Sequence, residues 1–201
     1  MNNKDAKTRI IETTKTLLQT KSHITIKDIT DSAYVNVAAV NYHFGSKDNL
    51  INIVVSDLIK GFKKEIFAGI KEIPKFQKPE VTLAAMLDLL YRFVGSNVGL
   101  LNYILINFDT NNPSSNLIID EFLNDNEFTK LVLLVLKDQS GITDENILMA
   151  KYMLIFSSFV IPLFVEMINL KNPDVEIKFS WQHNEALKKS YINELIKVLG
   201  V

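Results

Sequence analysis

Asn36, Val37, Ala38, Ala39, Asn41, Tyr42, His43 and Lys47 crowd into one short stretch, with Thr25 a little upstream. These residue types suit recognition of a duplex nucleic acid. An asparagine such as Asn41 can pair bidentately with adenine, while Val37, Ala38 and Ala39 can touch thymine methyls and let a backbone approach closely. Thr25, Tyr42, His43 and Lys47 suit phosphate oxygens, which fix register and carry little sequence information. Each of these positions is also readable as a solvated polar helix face or, for Tyr42, as partial core.

Presenting such a set to a groove requires short, well-capped helices. Thr25 caps a first helix, Asp28 three residues on completes a capping-box pair, and Ile26, Ile29 and Ala33 recur at helical spacing. Tyr34 and Val35 make a turn and Asn36 caps a second helix over Val37 to Phe44, which buries Val40 and Phe44 and leaves its other face free. Gly45 closes that helix, and Ser46 caps a third beginning at Lys47 and Asp48, whose free N–H groups attract anions. The segment 24–50 therefore reads as a helix-turn-helix. Residues 4–20, with Ile10, Ile11, Leu17 and Leu18 on one stripe, add a helix that packs over it.

The run from Val35 through Val40, Asn41, Tyr42, His43, Phe44, Gly45, Ser46, Lys47, Asp48, Asn49 and Leu50 resembles the N-terminal signature of the TetR family of bacterial transcription regulators. Thr25, Ile29 and Ala33 fit the same pattern. One position departs: family members commonly carry Gly where this chain has Tyr34, because glycine relieves a left-handed turn conformation. Tyr34 implies an altered turn or local strain. The resemblance covers about the first quarter of the chain.

What the resemblance implies is an all-α protein with an N-terminal three-helix, homeodomain-like DNA-binding domain (1–46) and a C-terminal helical regulatory and dimerisation domain (47–201). Residues 47–71 form its connecting helix. It also implies a homodimer built from the last two helices, with Met153, Ser157, Ile161, Phe164, Leu187, Tyr191 and Leu195 as candidate interface residues. An inducer pocket among the central helices is implied too, with Tyr91, Asn97, Tyr103, Asn107 and Phe128 as candidate lining. The expected function is a ligand-responsive regulator, a repressor released from double-stranded operator DNA by a small apolar molecule. The alternative is a constitutive or partner-recruiting regulator.

The remaining chain supports an all-helical reading. After the prolines at 74 and 79, helical spacing predicts helices over about 80–97, 99–109, 114–138, 143–171 and 180–199, with breaks at Asn111–Pro113, Ser140–Gly141 and Asn172–Pro173. Pro162 should kink the helix that contains it. Gly95 and Gly99 form a lone G-x-x-x-G that reads as a tight helix contact or a break.

Composition bounds the rest. Hydrophobic residues make up 47% of the 201 positions, enough for a packed core, and there is no cysteine, which excludes disulfides, thiolate zinc sites and cysteine nucleophiles. Net charge is −1, and residues 1–50 hold seven Lys or Arg against five Asp or Glu, a bias that permits DNA binding without revealing it. The polar N-terminus lacks a signal-peptide core, and Lys151 and Glu166 bracket the uncharged stretch 152–165 below spanning length. A cytoplasmic location, away from membranes, is expected. The three histidines are dispersed and no nucleotide-binding fingerprint occurs, so neither an enzyme nor a cofactor is expected, and no metal site is assigned.

Overall fold

The computed structural model describes residues 3–21, 23–72, 79–109, 113–172, 174–175, 177–181 and 184–200. Eleven α-helices and no strand occur among them. The expected loop at 75–78 and the breaks at Asn111, Asn112 and Pro173 lie outside the described residues, as does His183. Contacts divide the chain into two compact units, residues 1–60 with 97–119, and residues 61–96 with 120–201.

In the first unit, α1 (Asn3–Thr20), α2 (Ile26–Ala33) and α3 (Val37–Phe44) enclose Ile10, Leu18, Ile24, Ile29, Val40 and Phe44. Leu50, Ile51 and Val54 of α4 (Lys47–Glu72) are fully buried in the same unit. Arg9 Nε donates to Ala33 O at 2.8 Å, tying α1 to the last turn of α2. α6 (Val98–Ile106) packs against α1 through Gly99, where a Cβ would stand 2.4 Å from Leu18 O and 2.7 Å from Lys21 O. Of the two glycines at 95 and 99, only Gly99 marks a tight contact; Gly95 faces open space. Tyr103 of α6 donates its hydroxyl to Asp48 Oδ1 at 3.3 Å, and burial pushes that phenol up to about 12.

The turn between α2 and α3 has the hydrogen bonding of a glycine-capped helix end. Tyr34 N–H reaches Asp31 O at 3.4 Å and Val35 N–H reaches Thr30 O at 3.1 Å, the paired bonds of a Schellman motif. Tyr34 itself sits at φ 52°, ψ 49°, and is the only non-glycine with positive φ among the described residues. The turn is therefore unaltered, and the strain is taken up by Tyr34 at a cost of about 1–2 kcal/mol.

The second unit contains the later turns of α4, α5 (Pro79–Ser96), the end of α7 (Pro113–Phe122), α8 (Glu127–Ser140), α9 (Glu145–Ser158), α10 (Val160–Lys171) and α11 (Glu185–Val198). Two helices expected to be continuous are divided. The stretch 114–138 breaks after Phe122 because Asn126 builds a capping box: its Oδ1 accepts from Phe128 N at 2.8 Å and Thr129 N at 3.1 Å, while Thr129 Oγ1 accepts from Asn126 N at 2.9 Å. The stretch 143–171 breaks at Phe159, three residues before Pro162. Pro162 has no N–H to give the Ser158 carbonyl, and the Tyr191 hydroxyl donates to that carbonyl at 2.7 Å instead. The kink expected at Pro162 is thus a helix break one turn earlier. The helix expected over 180–199 begins at Glu185, where Asn184 Oδ1 accepts from Leu187 N at 2.9 Å. Before it, the buried Glu166 carboxylate accepts from Ser180 Oγ at 3.0 Å and Trp181 N at 2.9 Å, fixing the connection to α10.

Gly99→Ala should lower unfolding stability by about 1–3 kcal/mol, since the added methyl meets backbone carbonyls that cannot yield. Gly95→Ala should be neutral or stabilising by up to about 1 kcal/mol. Urea midpoints of the two variants check both, and equal midpoints would show that α1 and α6 are not in the contact described.

Candidate nucleic-acid interface

Each helix of the candidate site is held at its ends by short polar side chains. Thr25 Oγ1 accepts from Asp28 N at 3.1 Å and donates to Asp28 Oδ2 at 2.6 Å, while that carboxylate also accepts Thr25 N at 2.7 Å. These Thr25 bonds hold the Asp28 carboxyl below its usual range. The Thr25 hydroxyl therefore serves the cap first. Asn36 likewise spends its Oδ1 on Ala39 N at 2.8 Å, and Ser46 Oγ accepts from Asn49 N at 3.1 Å. Gly45, at φ 76°, sends its N–H to Asn41 O at 2.9 Å and closes α3.

With Val40 and Phe44 buried, α3 turns Val37, Ala38, Asn41 and Tyr42 outward; Tyr42 is 77% exposed. Ala39 and His43 are half-buried at the edges of this face, and the His43 ring packs edge-on to Tyr42 at 5.1 Å. Lys47 keeps a half-buried stem and donates from Nζ to Ile24 O at 3.2 Å, which places its charge at the junction of α2 and α4. The nine residues read from the sequence thus share one short structural segment, from the N-cap of α2 through the first residue of α4. Helix-end bonds have first claim on the side chains of Thr25 and Asn36. Asn41 and Tyr42 have no such bond among the described residues.

The five candidate pocket residues are divided between the two units. Asn97, Tyr103 and Asn107 belong to the first unit, whereas Tyr91 and Phe128 belong to the second. Tyr91 hydrogen-bonds to Ser158 Oγ at 2.7 Å and packs edge-on to Trp181 at 4.6 Å, its hydroxyl kept protonated by burial. Phe128 alone lines the apolar cavity of the second unit. This cavity, of about 30 Å3, is walled by Phe62 and Ile66 of α4, Met86 and Leu90 of α5, Val132 of α8, and Ile155 and Phe156 of α9. No polar surface lines it. At its aromatic edge Lys63 pairs with Glu121, the Lys63 ammonium lying 5.0 Å from the Phe128 ring centre and 5.4 Å from that of Phe122. Apolar wall residues carry no mark in a sequence that separates them from core residues.

The candidate dimer residues Met153, Ser157, Ile161 and Phe164 form an exposed stripe along α9 and α10, with Met153 and Ile161 each 69% exposed. Leu154, which shares the helical spacing, is exposed as well, and Ile147 and Val160 add further exposed apolar side chains on the same two helices. Leu187, Tyr191 and Leu195 of α11 are half-buried, and Ser158, which shares the helical spacing, points inward to Tyr91. The uncharged stretch expected to fall short of spanning length belongs to Glu145–Lys171, which by length and composition could cross a membrane, and only 28% of its most apolar window is buried within the chain. Among the described residues, no group of three or more His, Asp or Glu side chains is placed to hold a metal ion.

No family model and no curated protein matches the chain. Solved structures match it over nearly its whole length. A TetR-family transcriptional regulator from Streptomyces coelicolor aligns with a TM-score of 0.70 at 15% identity, covering 98% of this chain and 97% of that one. A chain described as a transcriptional regulator from Pseudomonas aeruginosa PAO1 aligns at 0.64 and 15% identity, over 98% and 93% respectively. A Clostridium perfringens chain described as a fatty acid metabolism regulator aligns at 0.62 and 15% identity, over 96% and 98%.

From this geometry, Asn41→Ala should lose roughly 1–3 kcal/mol of discrimination at one base pair of a selected duplex. A uniform loss across all sequences would remove Asn41 from the base-reading set. Lys47→Met, which keeps the stem, should weaken binding to every duplex and reduce the slope of log affinity against log salt by about one. An unchanged slope would show that its charge meets no phosphate.

Proposed function

We propose that this chain, which has the fold of the TetR-family transcriptional regulators, is a DNA-binding transcription regulator that acts as a homodimer. We read it as a repressor released from operator DNA by a small apolar ligand. The observation that carries the first part is the capped helix-turn-helix whose second helix keeps only Val40 and Phe44 for the core and turns Val37, Ala38, Asn41 and Tyr42 to solvent. A single such helix reads few base pairs, so two heads on one dimer are needed for a useful site. The exposed stripe of Met153, Ile161 and Phe164 supplies an apolar face that a second copy would cover. On this reading the apolar length of α9 and α10 serves protein contact rather than a bilayer, and the protein works in the cytoplasm.

The ligand-responsive part rests on the apolar cavity and on its α4 wall. The cavity is small, about 30 Å3, so a ligand of more than a few atoms would have to displace side chains that line it, Phe62 and Ile66 among them. Those residues lie on the helix whose first turns carry Leu50, Ile51 and Val54 in the other unit. A ligand that binds better to the widened state shifts the population of α4 positions, by no more than its difference in affinity for the two. The small volume equally favours a second reading, a constitutive or partner-recruiting regulator whose second unit only dimerises.

Three measurements test this. Sedimentation of Ile161→Lys with Phe164→Glu should show a monomer that has lost most operator affinity; an intact dimer would place the interface elsewhere. A panel of apolar and aromatic molecules should contain members that both raise the melting temperature and release selected DNA. Val132→Phe, which fills the cavity, should bind DNA normally and resist that release. Release that survives the filled cavity would move the ligand site, and a panel without any releasing member would favour the constitutive reading.

A further inference from the structure

We infer that Tyr34 is a DNA-backbone contact, its hydroxyl donating to a phosphate at the edge of the groove that α3 enters. This rests on the DNA-binding reading above and adds a residue that neither the resemblance nor the recognition helix supplies. The first support is a cost without return inside the chain. Tyr34 holds φ 52° and ψ 49°, a conformation an L side chain rarely adopts, yet its side chain is 87% exposed. Among the described residues its ring contacts no other ring and its hydroxyl makes no hydrogen bond. Backbone strain that the fold itself does not use is concentrated at sites that act on something else.

The second support is position. Among residues 3–60 the exposed large apolar side chains are Tyr34, Val37 and Tyr42. All three lie between the end of α2 and the last turn of α3, where the α3 N-terminus presents N–H groups to an anion. Tyr34 immediately precedes the Val35–Asn36 entry to that helix. The Schellman bonds at Thr30 and Asp31 fix the backbone on both sides of it, so the side chain is presented from a rigid corner.

The third support is chemistry. A phenol offers a neutral donor for a phosphate oxygen and a flat ring for the adjacent sugar. A neutral donor releases no counterion on binding, so its contribution leaves the salt slope untouched. That separates Tyr34 from Lys47, and the absence of base contact separates it from Asn41.

The test uses the full chain and duplexes selected from a random pool by the parent protein, alongside an unrelated duplex. Tyr34→Phe keeps the backbone and the ring, so its melting temperature should match the parent while affinity falls about three- to tenfold on every duplex. Its salt slope should be unchanged. Tyr34→Gly should lose at least as much affinity while melting a few degrees higher, since glycine adopts this turn freely. Tyr34→Phe with parental affinity, or a loss confined to one base pair, overturns the assignment. A parent that selects no duplex at all overturns the DNA-binding reading as well, and the two failures are thereby told apart.

Discussion

A single helix, α4, contributes to both packed cores of this protein. Its first turns place Leu50, Ile51 and Val54 in the unit that contains the helix-turn-helix, and its later turns place Phe62 and Ile66 in the wall of the apolar cavity. Both sets project from one continuous hydrogen-bonded helix with a fixed rise per residue. Close-packed interiors respond to an inserted atom by shifting whole elements rather than by compressing. The ion pair of Lys63 with Glu121, set against Phe122 and Phe128, fastens the same helix to the turn that Asn126 caps. Whatever moves Phe62 must therefore work against both that pair and the aromatic packing around it.

How far the sequence could be read depended on whether a signal was local. Capping is local: Thr25 with Asp28, Asn36 with Ala39 and Ser46 with Asn49 are each settled within four residues, so α2, α3 and the start of α4 were placed correctly. The break before α8 is equally local, since Asn126 and Thr129 form a reciprocal cap within four residues. The break at Phe159 was less accessible. Pro162 marks a disturbance in the sequence, whereas the Tyr191 hydroxyl that takes up the freed Ser158 carbonyl comes from a helix distant in sequence.

The candidate pocket shows the limit more sharply. Tyr91 and Tyr103 each join a hydroxyl to an apolar helix, and each hydroxyl has a specific partner, Ser158 and Asp48. The cavity wall is made instead of residues such as Ile66, Met86 and Val132, which carry no mark beyond helical spacing. A void is a property of how side chains fail to meet, and no single position encodes it. The exposed stripe on α9 and α10 is the reverse case. Its residues were selected from sequence by their apolar character and spacing, and the chain alone leaves Met153 and Ile161 largely uncovered.

These two apolar features differ in what they demand. An exposed apolar stripe costs about 25 cal/mol for each Å2 held in water, and covering it recovers that cost with no internal rearrangement. A cavity of about 30 Å3 is small, and enlarging it for a ligand requires that side chains packed around it separate. Dimerisation on the proposed reading is then the constitutive state, formed whenever two copies meet. Ligand entry is the conditional one, and its apparent affinity is reduced by the small population of chains already opened. A regulator with this division would keep its two DNA-reading heads together at all times and leave α4 alone to respond.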